Sequence, residues 1–264
     1  MSVVDDVPAG FLELASRIQD SIRTNACHWR DCEQIGPFVA TFNREDGNPY
    51  LNYAIPDDAA MPSPGDVATL VAAYRKRDRR PRLEYIPALA PAVVPVLLAE
   101  GFEAEQRTPL MTCAAVSDVG EVMADRVELI AASSEEEYQD AASVQWEAYE
   151  EQGDVPRHAV DALRRTVEAG GVVVLARDVL THEPAGAGAC TAPHDGLTEL
   201  TSVGVRRRFR RRGIAATMAS WLARQAFARG ATGVFLMAHG EAEVRIYARA
   251  GFVSRSEVLH ISRA

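Results

Sequence analysis

An arginine-rich turn is the part of this sequence whose residue types and spacing most plainly suggest chemistry. Six of the seven residues 206–212 are arginines, and they stand between an apolar run ending at Val205 and a helix-like run ending at Gly230. The first N–H groups of a helix lack intrahelical partners, and the helix dipole favours negative charge beside them. Gly213 lets the backbone approach a phosphate closely, and the arginines attract anions over a distance. The pattern predicts that the C-terminal half binds a phosphorylated ligand.

Within that turn, Arg210-x-x-Gly213-x-Ala215 resembles the acetyl-CoA pyrophosphate loop of the GNAT superfamily of N-acetyltransferases. The resemblance implies acetyl-CoA as co-substrate, with its pyrophosphate on the N–H groups of the loop and its pantetheine arm along the preceding strand. No metal is expected. The arginines at 206–208 are expected to point to solvent or to the 3′-phosphate of the cofactor. The implied cofactor-binding residues are Val203, Gly204, Val205, Arg210, Arg211, Arg212, Gly213, Ile214, Ala215 and Ala216.

The residues after the loop are also similar to this family, in the same order and spacing. The run 233–237 is similar to the family's fifth strand, and Tyr247-x-x-x-Gly-Phe252 is similar to its closing motif. Many members carry Asn seven residues before this tyrosine, where Gly240 stands here. Its contact with the cofactor arm is missing or is supplied by Glu241 or His239. The resemblance covers about residues 127–264.

Acetyl transfer to an amine sets three chemical requirements. The amine must be neutral, since an alkyl ammonium has a pKa of about 10. The tetrahedral oxyanion needs a donor, and the leaving thiolate benefits from a proton. The resemblance implies that Glu199 is the base, directly or through water, that the Val203 N–H is the donor, and that Tyr247 is the acid. The alternatives are a solvated strand-edge carboxylate for Glu199, with His194 as the base, and a packed aromatic for Tyr247.

The acceptor pocket is expected between the first two helices of the C-terminal half and the hairpin after them. Carboxylates and aromatic rings suit a cationic amine, and a Glu-rich helix end is equally a common solvated face. The expected partner is an amine-bearing acceptor, a small molecule, with no nucleic acid and no membrane; homodimerisation stays open. The candidate acceptor residues are Trp146, Glu147, Tyr149, Glu150 and Glu151.

The composition favours a cytoplasmic protein. The net charge is −9, whereas a nucleic-acid-binding domain is usually basic as a whole, so a nucleic-acid patch at 206–212 is the lesser alternative. The acidic start Met1–Asp6 is unlike a signal peptide, and no run of about 18 apolar residues predicts a membrane-spanning helix. The four cysteines show no disulfide framework. Cys27-His28-x-x-x-Cys32 hints at a metal site but lacks further ligands at suitable spacing.

Helix and strand patterns alternate through the C-terminal half. Ser133 or Ser134 caps the first helix, Pro156 suits the start of the second, and Gly230 ends the helix after the loop. A turn at 193–196 joins two strands. The predicted strands are 126–130, 172–176, 184–191, 197–205, 233–237 and 256–262, and the predicted helices are 133–151, 156–170, 214–229 and 243–250.

The end of the N-terminal half repeats part of this order. A strand at 82–86, a helix at 90–100 and a strand after Gly101-Phe102 match the spacing from 233 to Gly251-Phe252. This predicts an internal duplication, with a helix at 67–77 and no arginine-glycine loop; chance similarity of a β-α-β unit is the alternative. The predicted fold class is α/β (α+β): two GNAT-like domains, each a central mixed β-sheet flanked by helices. The degenerate copy spans 1–120, the acetyl-CoA-binding domain spans 121–264, and 120–125 is the linker.

Taken together, these patterns predict an N-acetyltransferase that moves an acetyl group from acetyl-CoA to a primary amine by direct attack. The N-terminal domain is expected to shape the acceptor pocket or an interface. The alternatives are a non-catalytic acyl-CoA-binding sensor or scaffold, an enzyme with another acyl donor or a hydroxyl acceptor, and an arginine-rich nucleic-acid binder.

Overall fold

The chain divides into two compact units. In a computed structural model, which describes residues 9–45 and 47–264, unit 1 comprises Met1–Leu110 with Arg255–Ala264, and unit 2 comprises Met111–Ser254. The acidic start Met1–Asp6, which argued against a signal peptide, lies outside the described residues. Within the described ranges, no helix is both long enough and apolar enough to cross a membrane.

The described residues form seven α-helices and eleven β-strands, which confirms the predicted mixed α/β class with a sheet flanked by helices. The helices are α1 (Ala9–Trp29), α2 (Pro64–Lys76), α3 (Val93–Ala99), α4 (Glu135–Ala148), α5 (Arg157–Glu168), α6 (Ile214–Ala228) and α7 (Glu241–Arg249). The strands are β1 (Asp31–Ile35), β2 (Phe38–Phe42), β3 (Ala54–Pro56), β4 (Arg82–Tyr85), β5 (Glu103–Cys113), β6 (Val127–Ala131), β7 (Val172–Asp178), β8 (Pro184–Cys190), β9 (Leu197–Val205), β10 (Gly233–Met237) and β11 (Val253–Ser262).

Helices cover both faces of the unit 2 sheet, in which neighbouring strands run β10, β9, β8, β7, β6. Strands β6 to β9 pair antiparallel, and β9 pairs with β10 in parallel. Val173 and Leu175 pack into the core formed with α4 and α5, whereas Val172 and Val174 pack into the core formed with α6. Because both faces are covered, β7 is a continuous apolar run rather than an alternating one.

Unit 1 has a sheet in which β1, β2, β3, β4, β11 and β5 are neighbours. Strands β1 to β3 pair antiparallel, β3 and β4 pair in parallel, and β11 pairs antiparallel with β4. The order β1, β2, β3, α2, β4, α3, β5 is the same as the order β7, β8, β9, α6, β10, α7, β11. The repeated order supports the predicted duplication.

The division between the units differs from the predicted boundary at 120. It falls inside β5, after Leu110, and again inside β11, after Ser254. The end of β11 belongs to unit 1 because it pairs with β4, with Leu259 opposite Tyr85. The predicted linker 120–125 contains neither helix nor strand but lies within unit 2. Sequence patterns locate strands, whereas the pairing that decides domain membership depends on the tertiary fold.

Cysteine pairing corrects the sequence analysis. Cys27 in the last turn of α1 and Cys32 in β1 form a disulfide, so the expectation of no disulfide was wrong, and these sulfurs are not free metal ligands. Cys113 and Cys190 are buried free thiols. Among residues 9–45 and 47–264, no group of three or more His, Cys, Asp or Glu side chains is placed to hold a metal ion.

Most predicted elements occur with shifted ends, which are the least certain part of any helix pattern. Helix α4 ends at Ala148 rather than near Glu151, because Tyr149 closes it and Glu150 adopts φ +59°. Helix α3 is shorter than the predicted 90–100, and α7 begins at Glu241 rather than 243. The apolar stripe of α6 is confirmed, since Ile214, Met218 and Leu222 are buried.

Candidate active site

The unit 2 sheet opens where β9 and β10 part. The two parallel strands pair at three positions, and the last of them joins Glu199 to Phe235. Within the described residues, β9 has no partner on β10 beyond Glu199. Backbone N–H and C=O groups need partners, so the open edge of β9 at 200–205 is available to a ligand. We call this opening the slot; Glu199 lies at its inner end.

A bulge disturbs the other edge of β9. The register shifts between Ala187 and Ala189 of β8, so that two residues of β9, Ser202 and Val203, oppose a single residue. Ser202 adopts φ +56°, and Gln145 of α4 donates to its carbonyl oxygen at 2.9 Å. A bulge leaves one residue out of the ladder and turns the backbone. It therefore alters the direction of the N–H groups around Val203, the predicted oxyanion donor.

Close packing against Gly204 fixes the end of α4 over β9. A Cβ added to Gly204 would lie only 2.7 Å from the Cβ of Ala148. A larger residue at this position would push α4 away from the strand. The contact holds Tyr149, which follows Ala148, near the open end of β9.

The loop between β9 and α6 presents unpaired backbone N–H groups. Arg211 has φ +65° and Gly213 has φ +80°, with Arg212 between them. A backbone in which right-handed and left-handed residues alternate forms the kind of concavity that binds anions. Helix α6 then begins at Ile214 with no side-chain cap, so the N–H groups of its first turn, through Ala216, have no intrahelical partner. This geometry fits a pyrophosphate.

Helix α2 of unit 1 begins in the opposite way. The Ser63 hydroxyl accepts the N–H of Asp66, and the Asp66 carboxylate accepts the N–H of Ser63 at 2.8 Å. Hydrogen bonds from the Ser63 side chain and backbone lower the pKa of Asp66. A negative charge of the chain itself therefore occupies the position where α6 would receive an anion.

Side chains of the arginine-rich turn hold the loop in place. Arg210 donates to the carbonyl oxygens of Val205 at 3.1 Å and Ala148 at 3.3 Å. Arg212 Nη2 lies 2.9 Å from a carboxylate oxygen of Asp178, and this hydrogen bond is the main cause that lowers the pKa of Asp178. With these side chains engaged, the anion site consists chiefly of backbone.

Arg206 corrects one expectation. Its guanidinium contacts Glu147 at 3.0 Å and donates to Ser143 at 2.8 Å, both on α4, so it points neither to solvent nor to a cofactor. Arg208 pairs with Glu183 at 3.1 Å. Arg207 and Arg211 are exposed, and neither forms an ion pair with a described residue. The partners of Arg206 come from a distant element, which a local charge pattern does not reveal.

Glu199, the predicted base, is half-buried where the strands part. Its backbone is fixed by Thr191, whose hydroxyl accepts the Glu199 N–H at 3.0 Å and whose N–H donates to the Glu199 carbonyl at 2.9 Å. Burial, and to a smaller extent the charge of Glu199, raises the pKa of the neighbouring Cys190 thiol to about 12. Cys190 is therefore a protonated, packed thiol, and the role of Glu199 as base stays a prediction.

Tyr247, the predicted acid, lies on α7 and is 8% exposed. Its ring packs edge-on against Phe252, with centroids 6.3 Å apart. Burial, then the charge of Glu243, raises the pKa of the Tyr247 phenol above its usual value of about 10. The phenol therefore keeps its proton across the physiological pH range. The ring is packed, as one alternative predicted, and the role of Tyr247 as acid stays a prediction.

The predicted acceptor cluster at the end of α4 is only partly assembled. Glu147 forms an ion pair with Arg206, and Trp146 Nε1 donates to the carbonyl oxygen of Gly153 at 3.1 Å. Glu150 and Glu151 are exposed. Tyr149 is the member linked to α7, because the charge of Glu243 acts on its phenol.

Glu243 is the residue that the sequence analysis missed. It lies one turn before Tyr247 on α7, and its charge acts on the phenols of both Tyr149 and Tyr247. Its four-residue spacing from Tyr247 was the available signal, since residues i and i+4 share a helix face. Nothing in the sequence places Tyr149 beside them.

The segment that carries the slot and the uncapped helix matches a known protein family. Residues 134–252 match the acetyltransferase (GNAT) family. Unit 2 therefore contains a GNAT-family acetyltransferase domain, and the resemblance seen in the sequence is confirmed for this segment. Comparison with curated proteins gives no match.

Solved structures similar to this chain cover most of its length. A GCN5-related N-acetyltransferase from Kribbella flavida is 25% identical, covers 95% of each chain and has a TM-score of 0.78. One from Sphaerobacter thermophilus is 15% identical and covers 98% of this chain and 93% of its own, with a TM-score of 0.66. A tandem GNAT protein from the clavulanic acid biosynthesis pathway is 14% identical and covers 85% of this chain and 77% of its own, with a TM-score of 0.59. The last two similarities show a likeness of fold alone.

Proposed function

We propose that this protein is an N-acetyltransferase that moves the acetyl group of acetyl-CoA to a primary amine by direct attack. The observation that carries the proposal is the uncapped start of α6 behind the backbone turn at Arg211–Gly213, beside the open edge of β9. The GNAT-family match supports an acyltransferase. The similar protein from Kribbella flavida bears the name N-acetyltransferase, which supports transfer to nitrogen.

Unit 2 has backbone groups that suit two parts of acetyl-CoA, the pyrophosphate and the pantetheine arm. The N–H groups of Arg211 to Ala216 bind the pyrophosphate oxygens, where the helix dipole also favours negative charge. The open edge of β9 from Val203 to Val205 offers backbone hydrogen bonds to the amides of the pantetheine arm. Acetyl-CoA supplies the activated thioester, and no metal takes part in the proposed reaction.

Three groups of the chain carry the proton and charge movements. Glu199, directly or through water, takes a proton from the ammonium, so that the nitrogen lone pair can attack the thioester carbon. The Val203 N–H donates to the oxyanion that forms. When the carbon–sulfur bond breaks, Tyr247 gives its proton to the leaving thiolate, and the second proton that the attacking nitrogen releases as the amide forms returns to the phenol through water. The acceptor is proposed to be a small molecule.

A charge placed at the anion site tests the proposal. A Cβ added to Gly213 meets no atom within 4 Å, so Gly213→Glu fits in space and directs a carboxylate toward the proposed phosphate position. We expect this variant to lose acetyl-CoA binding in calorimetry, by about 100-fold or more, because its carboxylate repels the negative phosphates at the start of α6.

Gly230→Glu is the matched control. Gly230 has φ +93° and the same open surroundings, but it follows the C-terminal end of α6. Both variants therefore carry the same charge change and similar backbone strain. Equal acetyl-CoA affinity in the two variants would show that the pyrophosphate does not bind at the start of α6.

Unit 1 is proposed to be a degenerate copy that does not bind acetyl-CoA. The Asp66 carboxylate fills the start of α2, which removes the anion site there. The calorimetric stoichiometry should therefore be one acetyl-CoA per chain. Two sites of comparable affinity would contradict the degenerate assignment while leaving the unit 2 site intact.

A further inference from the structure

The bulge in β9 leaves two residues outside the strand ladders. The ladder with β8 pairs Thr201 and Gly204 but neither Ser202 nor Val203. On the other side, the ladder with β10 ends at Glu199. Because neither ladder of the described residues includes Ser202 or Val203, other contacts set the direction of the peptide group that joins them.

A side chain of α4 holds this peptide group. Gln145 is half-buried on α4, and its Nε2 donates to the Ser202 carbonyl oxygen at 2.9 Å. The carbonyl and the N–H of a trans peptide lie in one plane and point in opposite directions. The hydrogen bond that fixes the Ser202 carbonyl toward Gln145 therefore also fixes the Val203 N–H, which points away from Gln145.

Ser202 is strained in this arrangement. Its φ of +56° is left-handed, a conformation in which the Cβ of an L-residue crowds the following carbonyl oxygen. A strained residue persists only where the surrounding structure fixes it. Within the described part of the chain, Gln145 is the one side chain that bonds to the Ser202 backbone. Without this bond the peptide group can relax toward an ordinary strand conformation, which turns the Val203 N–H.

The end of α4 is itself fixed over β9, so Gln145 is a firm support. A Cβ added to Gly204 would lie 2.7 Å from the Cβ of Ala148 and 3.6 Å from the Cα of Gln145. Arg210 donates to the Ala148 carbonyl oxygen at 3.3 Å. These contacts keep the α4 backbone within the reach of one side chain from the bulge. A group held on a packed helix positions its partner better than a group on a loop does.

We propose that Gln145 is a positioning residue, which holds the peptide group between Ser202 and Val203 so that the Val203 N–H donates to the thioester oxygen. This inference rests on the proposed function, which it deepens by naming the side chain that orients the oxyanion donor. In this role Gln145 touches neither acetyl-CoA nor the acceptor and acts through the backbone. A hydrogen bond to an oxyanion strengthens as charge develops on the oxygen, so the effect of Gln145 falls mainly on the transition state.

Gln145→Met tests the inference, because methionine keeps the length of the side chain and its helix propensity but donates no hydrogen bond. With butylamine as the acceptor, we expect kcat to fall about tenfold, which is less than the factor of about 100 to 1,000 typical of removing an oxyanion donor outright. The KM for acetyl-CoA and its calorimetric affinity should stay within about twofold, since the lost interaction belongs to the transition state. A general loss of stability would not separate kcat from cofactor binding in this way.

Ser143→Ala is the matched control on the same helix. Its hydroxyl accepts a hydrogen bond from Arg206 at 2.8 Å, so the variant loses one bond between α4 and the end of β9 without touching the bulge. It should leave kcat within about twofold. Gln145→Glu is a second variant, which keeps the side-chain shape but has no donor at neutral pH, and it should lower kcat at least as much as Gln145→Met. An unchanged kcat in both Gln145 variants, or an equal loss in Ser143→Ala, would overturn the inference.

Nuclear magnetic resonance separates this inference from the proposed reaction. The Val203 amide proton is observed in the isotope-labelled full chain, first saturated with CoA and then with acetyl-CoA. We expect the proton to move downfield with acetyl-CoA in the wild type, as an N–H does when it donates a hydrogen bond, and to move little in Gln145→Met. This pattern supports the inference even where butylamine is not acetylated, in which case the reaction alone fails. An equal response of the two proteins, whether a shift or none, refutes the positioning role whatever the turnover.

Discussion

At the residue scale, the candidate chemistry depends on where single side chains sit relative to the parted strands. Glu199 marks the last β9–β10 pair, and Tyr247 is buried on the helix that follows β10. The two groups differ in environment, since Glu199 is half-buried and Tyr247 is packed against Phe252. A carboxylate with access to water suits a base, and a desolvated phenol that keeps its proton suits an acid.

Tyr247→Phe tests the acid. The substitution removes one hydroxyl and keeps the ring that packs against Phe252. We expect kcat to fall by about 100-fold, within the range typical of general acids, while acetyl-CoA affinity measured by calorimetry stays within about twofold. Turnover equal to that of the wild type would remove Tyr247 from the mechanism.

At the element scale, corresponding helices of the two units begin in different ways. Helices α2 and α6 occupy corresponding places in the element order, but α2 is capped by Ser63 and Asp66 whereas α6 has no side-chain cap. A capped start stabilises a helix by about 1 kcal/mol, whereas an uncapped one leaves N–H groups for an anion. Helix α6 therefore lacks this local stabilisation at the position of the proposed anion site.

A buried ionic cluster joins β4, β5 and β11 in unit 1. Arg82, fully buried, contacts Glu84 and Glu105 at 3.0 Å and His260 Nδ1 at 2.6 Å. Burial acts to raise the pKa of Glu84, but the hydrogen bonds and charges of His260 and Arg82 outweigh it and lower that pKa. Because these charges are removed from water, the loss of one partner destabilises the others.

Arg82→Ala should therefore destabilise the protein by about 3–5 kcal/mol, because the buried Glu84 carboxylate loses its buried arginine partner. Chemical unfolding followed by circular dichroism measures the change. Arg80→Ala is the control, since Arg80 is 51% exposed and lies 3.6 Å from Glu105; it should cost less than about 1 kcal/mol. Similar losses of unfolding free energy in the two variants would show that the buried pairs of Arg82 contribute no more stability than the exposed pair of Arg80.

The disulfide is a second element-scale feature, since it links the end of α1 to β1. We expect two of the four cysteines to react with an alkylating reagent in unfolded, unreduced protein, and all four after reduction. Replacing Cys27 and Cys32 with Ser should cost about 2 kcal/mol of stability, given the short loop. Four reactive thiols without reductant would contradict the pairing. A disulfide also weighs against the cytoplasmic location, because such bonds persist mainly in oxidising compartments.

At the scale of the whole molecule, buried phenols link folding to alkaline pH. Burial raises the pKa values of Tyr74, Tyr85 and Tyr247 in the folded state, whereas unfolded tyrosines titrate near pH 10. Above that pH the unfolded state loses protons that the folded state keeps. The stabilisation is thus complete below about pH 10 and is lost as pH rises further.

Urea unfolding at a series of pH values checks this link. The free energy of unfolding should fall above about pH 10, with a limiting slope of about 1.4 kcal/mol per pH unit for each such tyrosine. Tyr85→Phe is the informative variant, because the buried Tyr85 hydroxyl has no hydrogen-bond partner among the described residues. It should retain stability at neutral pH and show a shallower alkaline slope; an unchanged slope would contradict the assignment.

The sequence predicted the parts of the fold and site that follow from local rules. The apolar stripe of α6, the cap of α4, predicted at Ser133 or Ser134 and found at Ser134, and the loop ending at Gly213 depend on neighbours a few residues away, so spacing reveals them. The interactions that it missed join distant segments: Arg206 with Glu147, Cys27 with Cys32, and the end of β11 with β4. Local periodicity carries no information about such partners.

By itself, the sequence determined the order of strands and helices in the C-terminal half, the glycine-bearing turn before α6 and the family resemblance of that half, whereas α1 and β1 to β3 were not predicted. These features follow from residue types at fixed spacing, which dictate backbone preference and apolar faces. Tertiary structure alone decided that β9 and β10 stop pairing after Glu199, that the start of α2 is capped by Asp66, and that Cys27 pairs with Cys32. Strand divergence and side-chain contact between separate elements arise only when the whole core packs, because burial and pairing are settled together there.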